Sequence, residues 1–189
     1  YMQEQTYKVI RYYDATVLDY KFLWTSKENL AMHFGFFDET VNNHGDSLLK
    51  MNEVLARYAN ISSKDQVLDA GCGYGGSSIW LAKNIGCKVV GINIVPWQVK
   101  MATESAKKYK VSNKAIFKCE DYCYTSFQDK SFDVVWGLES IVHASSKKDF
   151  VKEAHRLLKK RGRIIISEYM LRESPKLSVK ENKLITPWL

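Results

Sequence analysis

No stretch of the 189 residues approaches the roughly 18 consecutive apolar residues that a membrane-spanning helix needs, so a helical membrane protein is excluded. The opening residues, YMQEQTYKVIRYYD, lack the apolar core of a secretory signal; the expectation is a cytoplasmic chain. Cysteine is sparse, and Cys72, Cys87, Cys119 and Cys123 form no C-x-x-C pair. That spacing argues against a zinc site and a thioredoxin-like motif and leaves four free thiols. No metal is expected. Repeats and low-complexity segments are also missing, so solenoids and linkers are excluded. The net charge of +7 has no strong focus: its densest run is Lys159, Lys160, Arg161 and Arg163. A dispersed positive charge suits a solvated surface as well as an anionic partner, and no nucleic-acid partner is expected.

What is present is a change of rhythm near residue 66. Before it, residues 5–32 are aromatic and mixed in charge and read as helix with breaks, residues 33–38 (HFGFFD) as a turn around Gly35. Asp46 is placed to cap a helix running to about Tyr58, with Leu48, Leu49, Met51, Val54 and Leu55 as its apolar stripe. After it, short apolar runs alternate with helical patterns. Strands are predicted at residues 66–70 (QVLDA), 88–93 (KVVGIN), 115–119 (AIFKC), 132–136 (FDVVW) and 163–168 (RIIISE). Helices follow the first strand as far as Ala82, run from Pro96 to about Tyr109 and cover residues 147–158, with Gly162 in the turn before the last strand. This pattern predicts an α/β domain, a Rossmann-like parallel sheet with helices on both faces. Such sheets bind ligands beyond the carboxyl ends of their strands, so the residues just after strands one to four are the candidates.

The first such loop reads Asp69-Ala70-Gly71-Cys72-Gly73-Tyr74-Gly75-Gly76. Gly71, Gly73 and Gly76 match the spacing of a dinucleotide fingerprint. Asp69 does not suit one: a carboxylate there repels a pyrophosphate but accepts hydrogen bonds from an ammonium. A cationic, amino-acid-like ligand is therefore favoured over a dinucleotide, and a nicotinamide-dependent oxidoreductase is disfavoured.

VLDAGCGYGG resembles motif I of the class I S-adenosylmethionine-dependent methyltransferases. The wider stretch GGSSIWLAKNIGCKVVGINIVPWQVKMA resembles their small-molecule branch, which includes tocopherol C-methyltransferases and sarcosine/dimethylglycine N-methyltransferases, and shares features with phosphoethanolamine methyltransferases. The resemblance covers roughly residues 10–170 and is most specific between 66 and 143. It implies a seven-stranded sheet, S-adenosyl-L-methionine as cofactor, S-adenosyl-L-homocysteine as product and a small-molecule acceptor. It implies cofactor contacts for Asp69, Gly71, Cys72 and Gly73. At the end of strand two Asn93 stands where the usual ribose-binding acid would be, within the branch pattern N-I-x-P-x-Q that Asn93, Ile94 and Gln98 fit. After strand three it implies that Asp121, or Glu120 one register away, meets the adenine amino group, with Tyr122 along the ring.

The loop after strand four, Gly137-Leu138-Glu139-Ser140-Ile141-Val142-His143, is expected to face the methionine moiety. The resemblance implies a cofactor contact at Glu139 and a catalytic role for His143, whose imidazole titrates near neutral pH. The absence of an N-P-P-Y tetrapeptide and of a Pro-Cys nucleophile argues against methylation of nucleic-acid bases. Tyr12, Tyr13, Asp14, Tyr20, Trp24, His33, Phe34 and Gly35 resemble the aromatic lid pattern of the same families, with Trp24 expected on the cofactor and Tyr20 as the catalytic tyrosine. Aromatic faces attract a sulfonium, and a lid excludes water.

Three parts are thus expected: a lid and leading helix over residues 1–60, a cofactor-binding core over 61–170 and a remnant over 171–189. The twenty residues after Tyr169 are too few for a helix and strands six and seven, which are expected to be missing from this chain. The expected function is methyl transfer to nitrogen, oxygen or activated carbon of a small molecule. The alternatives are an RNA methyltransferase on the same fold and a cofactor-binding module without turnover.

Overall fold

A computed structural model describes residues 4–16, 30–169, 178 and 180 of the chain. Helix α1 (Glu4–Ala15) comes first, and residues 30–43, which are non-helical, lead into α2 (His44–Tyr58). The α/β rhythm then begins. It runs β1 (Gln66–Ala70), α3 (Gly76–Trp80), β2 (Lys88–Asn93), α4 (Pro96–Lys108), β3 (Ala115–Cys119), β4 (Phe132–Leu138), α5 (Lys147–Leu157) and β5 (Leu158–Ser167). A π-helical turn at Leu81–Ile85 prolongs α3 beyond the predicted Ala82, and Gly86 closes it at φ 85°.

The sheet of the described residues is wholly parallel, in the order β3-β2-β1-β4-β5. From β1 the chain steps outward to β2 and β3, then returns to the other side of β1 as β4. The switch point between β1 and β4 opens a crevice at their carboxyl ends. Registers are simple, as in Asp69 beside Gly91 on one side and Trp136 on the other. Period-2 alternation divides the strands between two cores. Val67, Val89, Val134 and Trp136 pack with α2 and α3 on one face; Leu68, Ala70, Val90, Ile92 and Val135 pack with α5 on the other.

Four local expectations need correction. The cap of α2 is Asn43, whose Oδ1 accepts the Asp46 N–H at 2.9 Å; Asp46 sits in the first turn, where its charge suits the helix dipole. Leu49 is off the buried stripe and exposed, because the face toward the sheet runs through Leu48, Asn52 and Leu55. β4 extends two residues further than predicted, to Leu138. β5 begins at Leu158, not Arg163: Leu158 pairs with Phe132, residues 159–162 bulge out, and pairing resumes at Arg163 with Val134. Gly162 therefore lies in a bulge within β5. The expectation for strands six and seven falls outside the described residues.

Candidate functional site

The crevice at the switch point is a cleft of about 740 Å³, its open mouth included. Ten of the expected residues meet on its walls: Asp69, Gly71, Cys72, Gly73, Asn93, Ile94, Gln98, Tyr122, Glu139 and His143. They come from the ends of all four strands β1 to β4, as the parallel topology requires.

The glycine turn is held tightly. Gly71 N–H and Cys72 N–H both donate to Ile92 O, at 2.9 and 3.0 Å, and Gly71 and Gly73 have φ of 87° and 51°. Asp69 is 2% exposed. Its Oδ2 accepts the Ser78 hydroxyl at 2.6 Å, and no cation pairs with it among the described residues. Burial pushes its carboxyl up to about 6, against the hydrogen bonds from Ser78. A buried carboxylate without a counter-ion favours a cation in its cleft.

Asn93 and Gln98 act as a relay. Val95 N–H donates to Asn93 Oδ1 at 3.2 Å, which turns Asn93 Nδ2 toward Gln98 Oε1 at 2.6 Å. That leaves Gln98 Nε2, in a residue 1% exposed, as a buried donor with no partner among the described residues. The missing acid of strand two is thus replaced by a pair of amides, the second of which faces the cleft.

Asp121 is not on the cleft wall. Its Oδ1 accepts Cys123 N–H at 2.8 Å, an i to i+2 bond that closes the turn after β3. Glu120 is likewise turned away, holding Ser126 through N–H and hydroxyl. Tyr122 remains on the wall and donates its hydroxyl to Ser140 O at 2.9 Å, while Ser140 donates to Ala70 O. The loops after β1, β3 and β4 are thereby joined. Trp24 and Tyr20 lie outside the described residues.

Above the cleft, the first helix and the segment after residue 30 form a cover. Trp97 Nε1–H donates to Asp14 Oδ1 at 2.8 Å and tilts against the Tyr74 ring, which pins α1 to the start of α4. Phe34 N–H donates to Glu139 Oε1 at 2.9 Å, which pins the second segment to the end of β4. Tyr13 and His33 of the lid pattern and Ser140 of the strand-four loop also stand on the wall, and the structure adds Val9 and Met32, which the sequence did not single out. Val9 and Tyr13, four residues apart on α1, share the face turned to the cleft; that spacing was the available signal. The Tyr13 ring meets the His143 ring edge-on at 6.1 Å. Burial, with Lys147 adding to it, holds the His143 imidazole below its ordinary range, and burial first of all raises the Tyr13 phenol.

Among the described residues the cleft wall carries two carboxylates, Asp69 and Glu139, and no lysine or arginine. No cluster of histidine, cysteine and carboxylate among them could hold a metal ion, and no helix is long and apolar enough to cross a membrane.

Residues 68–166 match the family model described as a methyltransferase domain. The chain is 35% identical over 178 residues to the chloroplastic tocopherol O-methyltransferase of Arabidopsis thaliana, covering 88% of this chain and 50% of that protein. The chain spans about half the length of the curated relatives it matches. Among solved structures, a putative sarcosine dimethylglycine methyltransferase from Galdieria sulphuraria is 25% identical with a TM-score of 0.69, over 73% of this chain and 54% of that one. The [4+2]-cyclase SpnF has a TM-score of 0.78 at 22% identity, over 86% of this chain and 60% of that one, which is a likeness of fold alone.

Proposed function

Because the chain belongs to the methyltransferase-domain family, we propose that it binds S-adenosylmethionine in the switch-point cleft and transfers its methyl group to a small-molecule acceptor. One observation carries the reading: a cleft built from the ends of β1, β2 and β4 holds two carboxylates, the buried Asp69 and the half-buried Glu139, and no opposing cation among the described wall residues. Such a wall is complementary to a ligand bearing an ammonium and a sulfonium, and it repels a pyrophosphate.

The residues present fit that cofactor. Asp69 would hold the α-ammonium. Gly71 and Gly73 leave the backbone open to close approach, Gln98 Nε2 offers a donor to the ribose, and Tyr122 offers a ring face to the base. When bound, the cofactor supplies an already activated methyl group on a cationic sulfur. The protein's part is then positioning, exclusion of water and, for an acceptor that must lose a proton, a base. His143 meets the last need. Its imidazole lies on the cleft wall against Tyr13, a contact that supports Tyr13 as a partner tyrosine alongside the expected Tyr20. α1, held by Trp97 and Asp14, closes the cleft from above. The tocopherol relative supports a phenolic acceptor, and four free thiols suit a reducing compartment such as the cytoplasm.

Calorimetric binding of S-adenosylhomocysteine, with a nicotinamide dinucleotide failing to compete, tests the cofactor. Release of S-adenosylhomocysteine across phenols, amines and activated carbons tests transfer. His143→Ala is expected to slow transfer by about 10²- to 10⁴-fold, the range for loss of a general base, with cofactor affinity changed by less than about threefold, a fraction of one hydrogen bond. Equal losses in both would make His143 a structural residue.

A further inference from the structure

His33 stands on the cleft wall, 6% exposed, with only one of its ring nitrogens satisfied. Nδ1 lies 2.9 Å from Phe34 O. A carbonyl oxygen can only accept, so Nδ1 carries the hydrogen. Nε2 is buried and has no hydrogen-bond partner among the described residues. A buried nitrogen left in this state is unfavourable and calls for a partner from outside the protein.

The chemistry of that partner follows from what the wall lacks. A cofactor with an amino-acid end brings a carboxylate as well as an ammonium. Asp69 suits the ammonium. For the carboxylate, the described wall has no lysine or arginine, and the Gly71 and Cys72 amides both already donate to Ile92 O. His33 is the buried wall residue whose side chain has a nitrogen both unoccupied and able to become a cationic donor, and its neighbour Phe34 is tied to Glu139 at the methionine end of the cleft.

We infer that His33 is the carboxylate-recognition residue of the cofactor site: it takes up a proton as the cofactor binds and donates Nε2–H to the α-carboxylate. The inference rests on the S-adenosylmethionine reading. In the free protein, burial keeps the ring neutral, and His44 on α2 disfavours a second positive charge. The other titratable groups of the cleft leave this event visible near neutral pH. Burial raises the Tyr13, Tyr122 and Cys72 groups well above neutrality and lowers His143, while Glu139 and Asp69 across the cleft are acids raised by burial. A partner carboxylate raises the His33 value, so affinity should strengthen as pH falls from alkaline toward neutral. It then weakens as Asp69 takes its own proton near 6.

The test compares S-adenosylhomocysteine with 5′-methylthioadenosine, which keeps the nucleoside and thioether but lacks the amino-acid end. Calorimetry at about pH 7.5 in buffers of different ionisation heat counts protons. S-adenosylhomocysteine is expected to bind with uptake of nearly one proton, and 5′-methylthioadenosine with none. His33→Leu is expected to lose the uptake and at least about tenfold in S-adenosylhomocysteine affinity, a charge-assisted bond's worth. Its 5′-methylthioadenosine affinity, unchanged within about twofold, shows that the variant folds. His33→Gln should keep part of the affinity and none of the uptake. Wild-type binding of S-adenosylhomocysteine without proton uptake overturns the inference, as does uptake preserved in His33→Leu. A wild-type protein that binds neither nucleoside overturns the cofactor reading itself, and this inference with it.

Discussion

Asp69→Asn is expected to make the ligand-free protein more stable at alkaline pH while weakening S-adenosylhomocysteine binding by at least about tenfold. The two effects share one cause. The Asp69 carboxyl is buried beneath the glycine turn, and its folded value of about 6 lies above the ordinary 3.8. The folded state therefore holds this proton more tightly than the unfolded chain does. Stability contributed by the group is fully present below about 3.8 and is lost as pH rises through about 6. At pH well above 6 the ionised carboxylate is a net burden on the order of 2–3 kcal/mol, at about 1.4 kcal/mol per pKa unit. Asparagine carries no charge and its Oδ1 can still accept the Ser78 hydroxyl, so the variant keeps the bond and sheds the burden. It also loses the anion that suits an ammonium. Thermal melts across pH check the first half and calorimetry the second. The variant and wild type should melt alike below about pH 4, diverge between about pH 4 and pH 6, and keep a constant gap above it. Identical melts throughout, or unchanged affinity, would defeat the argument.

Gly71→Ala is expected to lower stability by about 3 kcal/mol and to abolish measurable cofactor binding. Gly71 sits at φ 87°, where an L side chain is strained by roughly 1 kcal/mol. A Cβ there would also lie 2.4 Å from Ser140 Cβ and 2.9 Å from its hydroxyl oxygen. Ser140 has nowhere easy to go, since it donates to Ala70 O and its own carbonyl accepts from Tyr122. Overpacking of this kind costs about 1–3 kcal/mol. For a domain of this size the sum corresponds to a fall in Tm of roughly 6–12 °C. The double variant with Ser140→Gly removes the clash but not the backbone strain, so it should recover most of the lost stability. A single variant that melts within about 2 °C of wild type would show that the two loops part more easily than the packing indicates.

Both predictions concern a turn that was legible in the sequence, and the reason is local. Where Asp69 and four glycines follow a short apolar strand, the backbone conformation depends on residues within a few positions, and Gly71, Gly73 and Gly75 do take positive φ. The same holds for the strands: β1 and β2 have the predicted bounds because runs buried on both faces stand out from what flanks them, and the edge strand β3, more exposed, also keeps its predicted bounds. Errors arose where a residue had two uses. Asp46 could cap a helix, but Asn43 does so. Asp121, expected to meet a ligand, also had two uses, and its Oδ1 closes its own turn. Tyr13 stood in the aromatic lid pattern without a role of its own, and pattern alone does not say that its ring meets His143.

The sequence by itself determined the fold class, the strand order of chemistry along the chain and the family, because each depends on periodicity and on short motifs whose physics is local. The tertiary structure decided what the side chains of those motifs face. It set Gln98 of α4, through Asn93 at the end of β2, as a buried donor without a partner among the described residues. It brought Tyr13 to His143 and His33 to the cleft wall from segments separated from β4 by a hundred residues or so. It also placed two carboxylates in a wall without lysine or arginine among the described residues, although the chain carries a net charge of +7. Net charge is a sum over the whole surface, whereas the field in a cleft is set by the few groups buried around it, and only folding chooses those.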